Sequence, residues 1–203
     1  KSSQQKVKFW ACGAARIKKI VNENNIGIIK MEVERNEKPK NDFLKKIRKL
    51  ATSKNIVLIF DECTSGFRET YGGLHLKYKI NPDIVILGKA LGNGYAINAV
   101  LGKREIMQSC QKTFISSTFW TEKIGNVAAN ETLNQMQKQK SWKKISSYGK
   151  SIKNFWREIS NNQSVKIKIK GIDALPIFYF DSKYHNHYKT LSSQEMLKEK
   201  IIA

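Results

Sequence analysis

The chain has 203 residues, with few cysteines, few acidic side chains and no long apolar run. Its three cysteines, Cys12, Cys63 and Cys110, form neither a CxxC pair nor the spacing of a metal site. An odd number of cysteines without a disulfide framework is typical of a reducing compartment. No stretch approaches the roughly 18 apolar residues of a membrane-spanning helix, and no signal-peptide pattern is visible. We therefore expect a cytoplasmic protein without a membrane partner.

Acidic residues are outnumbered by basic ones, 17 to 37, which gives a net charge of +20. Such a balance can indicate a nucleic acid as partner. The lysines, however, are spread along most of the chain, and arginine, which is preferred for bidentate contacts to phosphates and bases, is rare. We interpret the excess as solvated helix faces in a chain rich in Ile, Lys and Asn, and expect no nucleic-acid partner. A basic nucleic-acid-binding domain stays open as an alternative.

Histidine is scarce as well, and its positions do not indicate a metal centre. His185 and His187 form an HNH segment, but they lack cysteines or acids at ligand spacing, and we expect them in a solvated loop. The segment GKALGNG, which begins at Gly88, resembles a phosphate loop only superficially because it lacks the GxxxxGK[ST] order. The sequence thus predicts no metal site.

Two apolar runs each end in ionisable residues. Residues 56–60 are followed by Asp61 and Glu62, and residues 84–87 are followed by Gly88 and Lys89. If both runs are buried strands of an open α/β sheet, their carboxyl ends lie where such sheets bind ligands. An acid and a lysine at neighbouring strand ends suit a cofactor with a basic ring nitrogen and an aldehyde, as in pyridoxal 5'-phosphate.

The periodicity of the other apolar residues predicts alternating strands and helices. A strand at 27–33, a helix at 43–53 with Asp42 as its N-cap, and the strand at 56–60 form a βαβ unit with parallel strands. Further strands are predicted at residues 84–87, 99–102, 164–170 and 175–180. Further helices are predicted at residues 9–20, 74–78, 104–111, 122–138 and 142–159, and from residue 192 onwards.

The character of the chain changes near Asn162. Before this point the βα units predict a doubly wound, mainly parallel α/β domain. After it, Val165, Ile167 and Ile169 alternate with lysines, which is typical of a half-buried antiparallel strand. We therefore expect a partial large domain at residues 1–160 and the start of a small α+β domain at residues 161–203.

Three separated motifs carry a family resemblance: FDECTSGFRETYGG, NPDIVILGKALGNGY and STFWTEKIGNVAA. Together they resemble the class III (subgroup II) pyridoxal-phosphate aminotransferases, and within that class the glutamate-1-semialdehyde aminomutase-like enzymes. The likeness runs from about Gly27 to about Leu133 in consistent order and spacing, and more loosely to the end of the chain. It implies a fold-type-I transferase that works as a homodimer with a shared active site. The family's chain is about twice as long, so we expect a fragment that lacks the N-terminal half, with its phosphate cup and ring-stacking aromatic residue.

The resemblance assigns roles to the residues at the two strand ends. Lys89 matches the lysine that forms the Schiff base, and we expect burial at the strand end to make its amine lose a proton readily. Asp61 matches the carboxylate that keeps the ring nitrogen protonated. Glu62 must point to the opposite side of the strand. Cys63 stands where the family commonly has a small apolar residue against the ring face, although a plain buried cysteine is the alternative.

The third motif supplies candidates for phosphate binding. Thr118 matches the threonine that holds the cofactor phosphate of the neighbouring subunit, with Ser117 as the second candidate. Here the family's commoner threonine–glycine–asparagine–proline arrangement is replaced by TFWTEKIGN, and helix capping by the same hydroxyls is the alternative. Glu32 matches a family glutamate near the active site but is equally plausible as a structural acid.

The resemblance implies an enzyme that moves an amino group on a small amino or keto substrate, as an aminotransferase or an aminomutase. In the family's reaction the substrate amine displaces Lys89, and the freed lysine then moves the α-proton as general base and acid. We expect Asp61 and Lys89 to converge on one cavity. The alternative is a truncated, non-catalytic remnant of the same fold.

Overall fold

The computed structural model describes residues 13–115, 118–119 and 121–201. The strands are β1 (Ile28–Met31), β2 (Val57–Asp61), β3 (Ile84–Leu87), β4 (Ala99–Gly102), β5 (Ile167–Lys170) and β6 (Ile177–Phe180). The helices are α1 (Ala14–Glu23), α2 (Phe43–Ser53), α3 (His75–Tyr78), α4 (Arg104–Met107), α5 (Ile124–Gln139), α6 (Ser141–Asn162) and α7 (His185–Lys198). Short 3-10 turns at Lys89–Leu91 and Gln108–Lys112 follow β3 and α4.

The larger sheet has the strand order β1-β2-β3-β4. The pairs β1–β2 and β2–β3 are parallel, whereas β4 runs antiparallel to β3. Helix α2 connects β1 to β2, as a crossover between parallel strands requires. The predicted parallel βαβ unit is therefore confirmed, and its strands end at one edge of the sheet.

One face of this sheet carries the main hydrophobic core. Alternate residues of β2 are buried, so that Leu58 and Phe60 face the core and Asp61 faces the other way. Helices α1 and α2 cover the core face with an apolar stripe at helical spacing. Strands β1 and β2 and helices α1 and α2 supply the buried core residues Ile17, Val21, Ile29, Leu44, Ile47, Ala51, Leu58 and Phe60. Full burial of one such aliphatic side chain contributes roughly 1.5–3 kcal/mol.

Several predicted details are wrong. Asp42 does precede α2, but it adopts a left-handed conformation with φ 54° and makes no side-chain hydrogen bond to the helix. Its carboxylate instead lies 3.3 Å from Lys45 Nζ. The last helix begins at His185 and not at residue 192, so His185 and His187 lie in a helix and not in a loop. The low apolar content of its first turns explains why periodicity missed them.

The smaller sheet, β5 with β6, is antiparallel and packs against α6. Lys153 of α6 donates hydrogen bonds to the Gly171 carbonyl at 2.7 Å and to Asp173 Oδ1 at 3.0 Å. Gly149 of the same helix is so close to Asp173 that a Cβ atom there would lie 1.6 Å from the Asp173 carbonyl oxygen. These contacts attach residues after 162 to the long helix α6. The division of the chain into two domains at residue 160 stays a prediction.

None of the described helices is both long and apolar enough to cross a membrane.

Candidate functional site

Strands β2 and β3 place Asp61 and Lys89 at the same edge of the sheet. Asp61 ends β2 and pairs in parallel register with Ile86 of β3. The chain continues through the buried Leu87 and Gly88 to Lys89. Because the two strands run in the same direction, both residues follow the carboxyl end of a strand, where open α/β sheets bind ligands.

Asp61 is a half-exposed carboxylate that two donors hold in place. Its Oδ2 lies 2.9 Å from Lys30 Nζ of the neighbouring strand β1. Its Oδ1 accepts a hydrogen bond from the Cys63 backbone N–H at 3.3 Å. Partial burial alone would raise the pKa of Asp61, but the hydrogen bonds from Lys30 and Cys63 outweigh it and lower the pKa below its ordinary value of 3.8. Asp61 is therefore ionised at neutral pH.

Lys89 presents its amine beyond the strand end. Its Nζ donates a hydrogen bond to Thr64 Oγ1 at 2.6 Å. The expectation that Lys89 is buried is wrong: the two residues before it are buried, but Lys89 itself is exposed. Its backbone is left-handed, with φ 45°, a conformation that is uncommon for residues other than glycine. Strained backbone of this kind clusters at functional sites.

Both the acid and the lysine act electrostatically on Cys63. Burial raises the pKa of the Cys63 thiol, and the negative charge of Asp61 raises it further, whereas the positive charge of Lys89 lowers it. A Cβ atom on Gly88 would lie 2.1 Å from Asn98 Oδ1 and 3.3 Å from Cys63 Sγ, so a larger residue there would require the Asn98 side chain to move. Because both Asp61 and Lys89 act electrostatically on this thiol, the three side chains lie near one another.

Glu62 points to the opposite side of the strand, as expected, and is fully buried. Its carboxylate accepts hydrogen bonds from His75 Nδ1 at 2.5 Å, from the His75 backbone N–H at 3.2 Å and from the Leu74 backbone N–H. Ser65 Oγ donates a further bond at 3.3 Å. Glu62 thus ties the start of α3 to the end of β2 and fixes the loop that carries Cys63 and Thr64.

Two other predicted site residues, Thr118 and Glu32, make no hydrogen bond or ion pair with this cluster among the described residues. Thr118 is exposed in a turn before α5, and no hydrogen bond or ion pair in the described part of the chain links it to Asp61 or Lys89. Ser117 lies outside the described residues. Glu32 forms an ion pair with Arg35 at 3.3 Å. His75 serves as a partner of Glu62, and no group of three or more potential metal-ligating side chains occurs among residues 13–115, 118–119 and 121–201.

Sequence reasoning missed Lys30 and Thr64. Lys30 pairs with Ile59 across β1 and β2, which puts it on the same face of the sheet as Asp61. The alternation of the two predicted strands could have indicated this once their register was known. Thr64 follows Cys63 in the loop after β2, and only the geometry of that loop reveals its contact with Lys89.

A cleft of about 610 Å³ adjoins Lys89 on the side of helices α5 and α6. Its lining includes Phe67 and Arg68 from the loop after β2, and Asn93 and Gly94 from the loop after Lys89. Helices α5 and α6 supply the remaining wall, which consists of Glu131, Thr132, Gln135, Met136, Gln139, Ser141 and Ile145. Asp61 is not part of this lining, and the expectation that Asp61 and Lys89 converge on one cavity stays a prediction.

The sequence matches a family model described as aminotransferase class-III over residues 36–198. Among curated proteins, it is 33% identical to the 3-aminobutyryl-CoA aminotransferase of Cloacimonas acidaminovorans over 77% of this chain and 38% of that protein. It is 30% identical to the glutamate-1-semialdehyde 2,1-aminomutase of Methanocaldococcus jannaschii, over 90% of this chain and 45% of that protein. The chain therefore spans less than half the length of these two relatives.

A solved structure shows the same fold. The PLP internal aldimine form of the FumI protein from Sphingopyxis sp. MTA144 superposes with a TM-score of 0.86 over 94% of this chain and 48% of that chain, at 20% sequence identity. This confirms the predicted fold class: a partial fold-type-I transferase domain with a mainly parallel sheet.

Proposed function

The chain belongs to the class-III aminotransferase family, and from this premise we propose that it takes part in a pyridoxal-phosphate-dependent transfer of an amino group. In this proposal Lys89 is the residue that bonds to the cofactor and Asp61 is the partner of its ring nitrogen. The observation that carries the proposal is the placement of an ionised carboxylate and an accessible lysine at the carboxyl ends of neighbouring parallel strands, where both charges act on the Cys63 thiol.

The residues at this edge fit the cofactor in their donors and acceptors. Asp61 is ionised and half-exposed, so its oxygens can accept a hydrogen bond from a protonated ring nitrogen. Lys89 is exposed, and its amine is held only by the neutral hydroxyl of Thr64 among the described residues. The pKa of Cys63 is raised by burial and by the charge of Asp61, so a neutral thiol can face an aromatic ring. We therefore propose Lys89, Asp61 and Cys63 as cofactor-binding residues.

Each of these residues would have a distinct task. When bound, pyridoxal phosphate supplies an aldehyde that takes up the substrate amine and a ring that accepts electrons. The Asp61 carboxylate holds a proton at the ring nitrogen, and Lys30 and the Cys63 backbone N–H keep that carboxylate charged and oriented. Lys89 Nζ, once released, takes a proton from the substrate carbon and returns it, and Thr64 Oγ1 fixes where that amine rests.

We further propose a cytoplasmic homodimer in which Thr118, with Ser117 beside it, binds the cofactor phosphate of the partner subunit. Large apolar side chains just before α5 support such an interface: Phe114 is 94% exposed and Phe119 is 55% exposed. The two described cysteines, Cys63 and Cys110, are free, which suits a reducing compartment. The division into residues 1–160 and 161–203 is likewise our proposal.

An aminotransferase and an aminomutase would use these residues in the same way. The two relatives compared above are named for different reactions, one an aminotransferase and the other an aminomutase. Both reactions use the same proton movements at Lys89, and they differ in the substrate and its enclosure. The substrate is an amino or keto compound in either case.

The test is borohydride reduction of the chain mixed with pyridoxal phosphate, followed by mass spectrometry of its peptides. We expect a reduced pyridoxyl group on Lys89 and its absence from a Lys89→Ala variant. Lys79→Ala is the matched control, because Lys79 is also exposed and left-handed, with φ 55°, but ends α3. An adduct spread evenly over many lysines, or one retained in Lys89→Ala, would favour a non-catalytic remnant.

A further inference from the structure

Strand β1 brings a second amine to the site. Lys30 Nζ lies 2.9 Å from Asp61 Oδ2, and no other acid in the described part of the chain forms an ion pair with Lys30. Glu32, two residues further along, pairs with Arg35 instead. Lys89 Nζ donates its hydrogen bond to Thr64 and not to Asp61. The carboxylate assigned to the ring nitrogen is therefore paired with Lys30 and not with the lysine of the proposed reaction.

Asp61 already receives three hydrogen bonds before any ligand is added. They come from Lys30 Nζ, from the Cys63 backbone N–H and from the Cys63 thiol. On the other side, the residue of β3 opposite Asp61 is Ile86, which brings no charge. An ionised carboxylate has about four acceptor sites. The N–H of a cofactor ring would be the fourth donor, and it would share the carboxylate with a lysine cation.

We propose that Lys30 weakens the hold of Asp61 on the proton of the cofactor's ring nitrogen. The inference rests on the proposed function and describes how the same site is regulated. A protonated ring nitrogen is a cation, so a second cation on the same carboxylate disfavours it. Lys30 also stabilises the charged form of Asp61, which makes that carboxylate a weaker acceptor for the ring proton. Both effects lower the pKa of the ring nitrogen.

Lys30 is a positioning residue, because it acts through Asp61 and not on the substrate. A ring nitrogen that holds its proton less firmly accepts electrons less strongly, so Lys30 sets how strongly the bound cofactor activates the substrate. The Lys30 side chain is 54% exposed, and solvent therefore screens part of its charge. Close charges shift a pKa by about 1–3 units, and we expect the lower end of that range here.

The experiment is a pH titration of the ring nitrogen itself. Pyridoxal phosphate labelled with nitrogen-15 in the ring is attached to Lys89 by borohydride reduction, and the ring signal is followed by NMR, since its chemical shift reports the proton. We expect the midpoint in Lys30→Met to be higher than in the original chain by about one pH unit. Lys30→Gln, a second neutral variant, moves it in the same direction, which guards against a packing defect caused by methionine.

Two further variants separate charge from structure. Lys30→Arg keeps the cation and should keep the midpoint of the original chain, which a merely structural role of the lysine would not predict. Lys170→Met removes an exposed pair with Glu37, and it should leave the midpoint unchanged.

Equal midpoints in the original chain and in both neutral variants would overturn the proposal. A midpoint in Lys30→Arg that moves with those of the neutral variants would overturn it as well. The attachment step separates this proposal from the one it rests on. A pyridoxyl group on Lys89 with an unchanged midpoint refutes only the role of Lys30, whereas the absence of that group from Lys89 refutes the proposed function and the role of Lys30 together.

Discussion

Lys30 Nζ and Asp61 Oδ2 lie 2.9 Å apart across the parallel strands β1 and β2. Both side chains are on the face of the sheet opposite the main core, because Lys30 pairs with Ile59 and Asp61 follows two residues later. The carboxylate proposed to hold a proton at the cofactor ring thus already has a cationic neighbour. Lys30 keeps Asp61 charged, and it also competes with any other cation for the same oxygen.

Replacing Lys30 is therefore expected to change the ionisation of Asp61. In Lys30→Met the hydrogen bond and the charge that lower the pKa of Asp61 are removed, while its partial burial remains, so the pKa rises. The measurement is a pH titration of the Asp61 carboxyl carbon by NMR in the cofactor-free chain. Lys45→Met, which removes the exposed partner of Asp42, is the control and leaves Asp61 unchanged. An identical Asp61 titration in Lys30→Met would show that the ion pair is not formed in solution.

Asp83 should make stability depend on pH in the acid range. Its carboxylate accepts hydrogen bonds from the Leu58 backbone N–H and from Arg48, both at 2.8 Å, and pairs with Lys103 at 2.7 Å. Burial alone would raise the pKa of Asp83, but these donors lower it below 3.8. Because the pKa of Asp83 is lower in the folded than in the unfolded chain, its carboxylate stabilises the fold at pH values above the unfolded pKa. This contribution is lost as the pH falls through the folded pKa.

Asp83→Asn is accordingly expected to lower the free energy of unfolding by roughly 1–3 kcal/mol at pH 7, because buried donors lose a charged acceptor. The difference from the original chain should shrink as the pH falls below about 3.8, the ordinary pKa at which the unfolded chain takes up the proton, and it should vanish below the lowered pKa of the native carboxylate. Urea unfolding at several pH values measures this difference in the free energy of unfolding. Asp181→Asn, which breaks the exposed pair with Lys168, should stay within about 0.5 kcal/mol throughout. A constant difference at all pH values would contradict the assignment.

Glu62 should matter for stability and for the shape of the site loop. Because its buried carboxylate accepts four hydrogen bonds, Glu62→Gln leaves at least one buried donor unsatisfied. We expect a loss of roughly 1–3 kcal/mol in the free energy of unfolding. Glu23→Gln, at an exposed helix position, serves as the control. Chemical denaturation checks this, and equal stability of the two variants would show that the Glu62 network is not formed.

Patterns along the chain predicted the elements that position the site. The apolar runs before Asp61 and Lys89 identified the two strands that end in these residues. The helix between β1 and β2 implied that those two strands run parallel, and the structure shows β3 parallel to β2 as well, so both residues follow strand ends at one edge. Glu62 could be placed on the opposite side by alternation alone.

The remaining features depend on contacts between elements that are distant in sequence. The Lys30–Asp61 pair follows from strand register, and the exposure of Lys89 follows from which elements cover the strand end. Neither is encoded in a local pattern. The left-handed backbone of Asp42 and Lys89 also escaped prediction, because neither residue is a glycine. Arg68 lay inside a recognised motif, but only the folded chain shows that its Nε atom is buried without a hydrogen bond.

The central claim is that Asp61 and Lys89 serve one cofactor ring. The most direct measurement is a crystal structure of the chain after reduction with borohydride in the presence of pyridoxal phosphate. The account predicts continuous density from Lys89 Nζ to the cofactor and an Asp61 oxygen within hydrogen-bonding distance, about 2.7–3.2 Å, of the ring nitrogen. A cofactor attached to a different lysine, or a ring nitrogen more than about 10 Å from Asp61, would contradict it, since beyond that distance ionic interactions in solvent are largely screened.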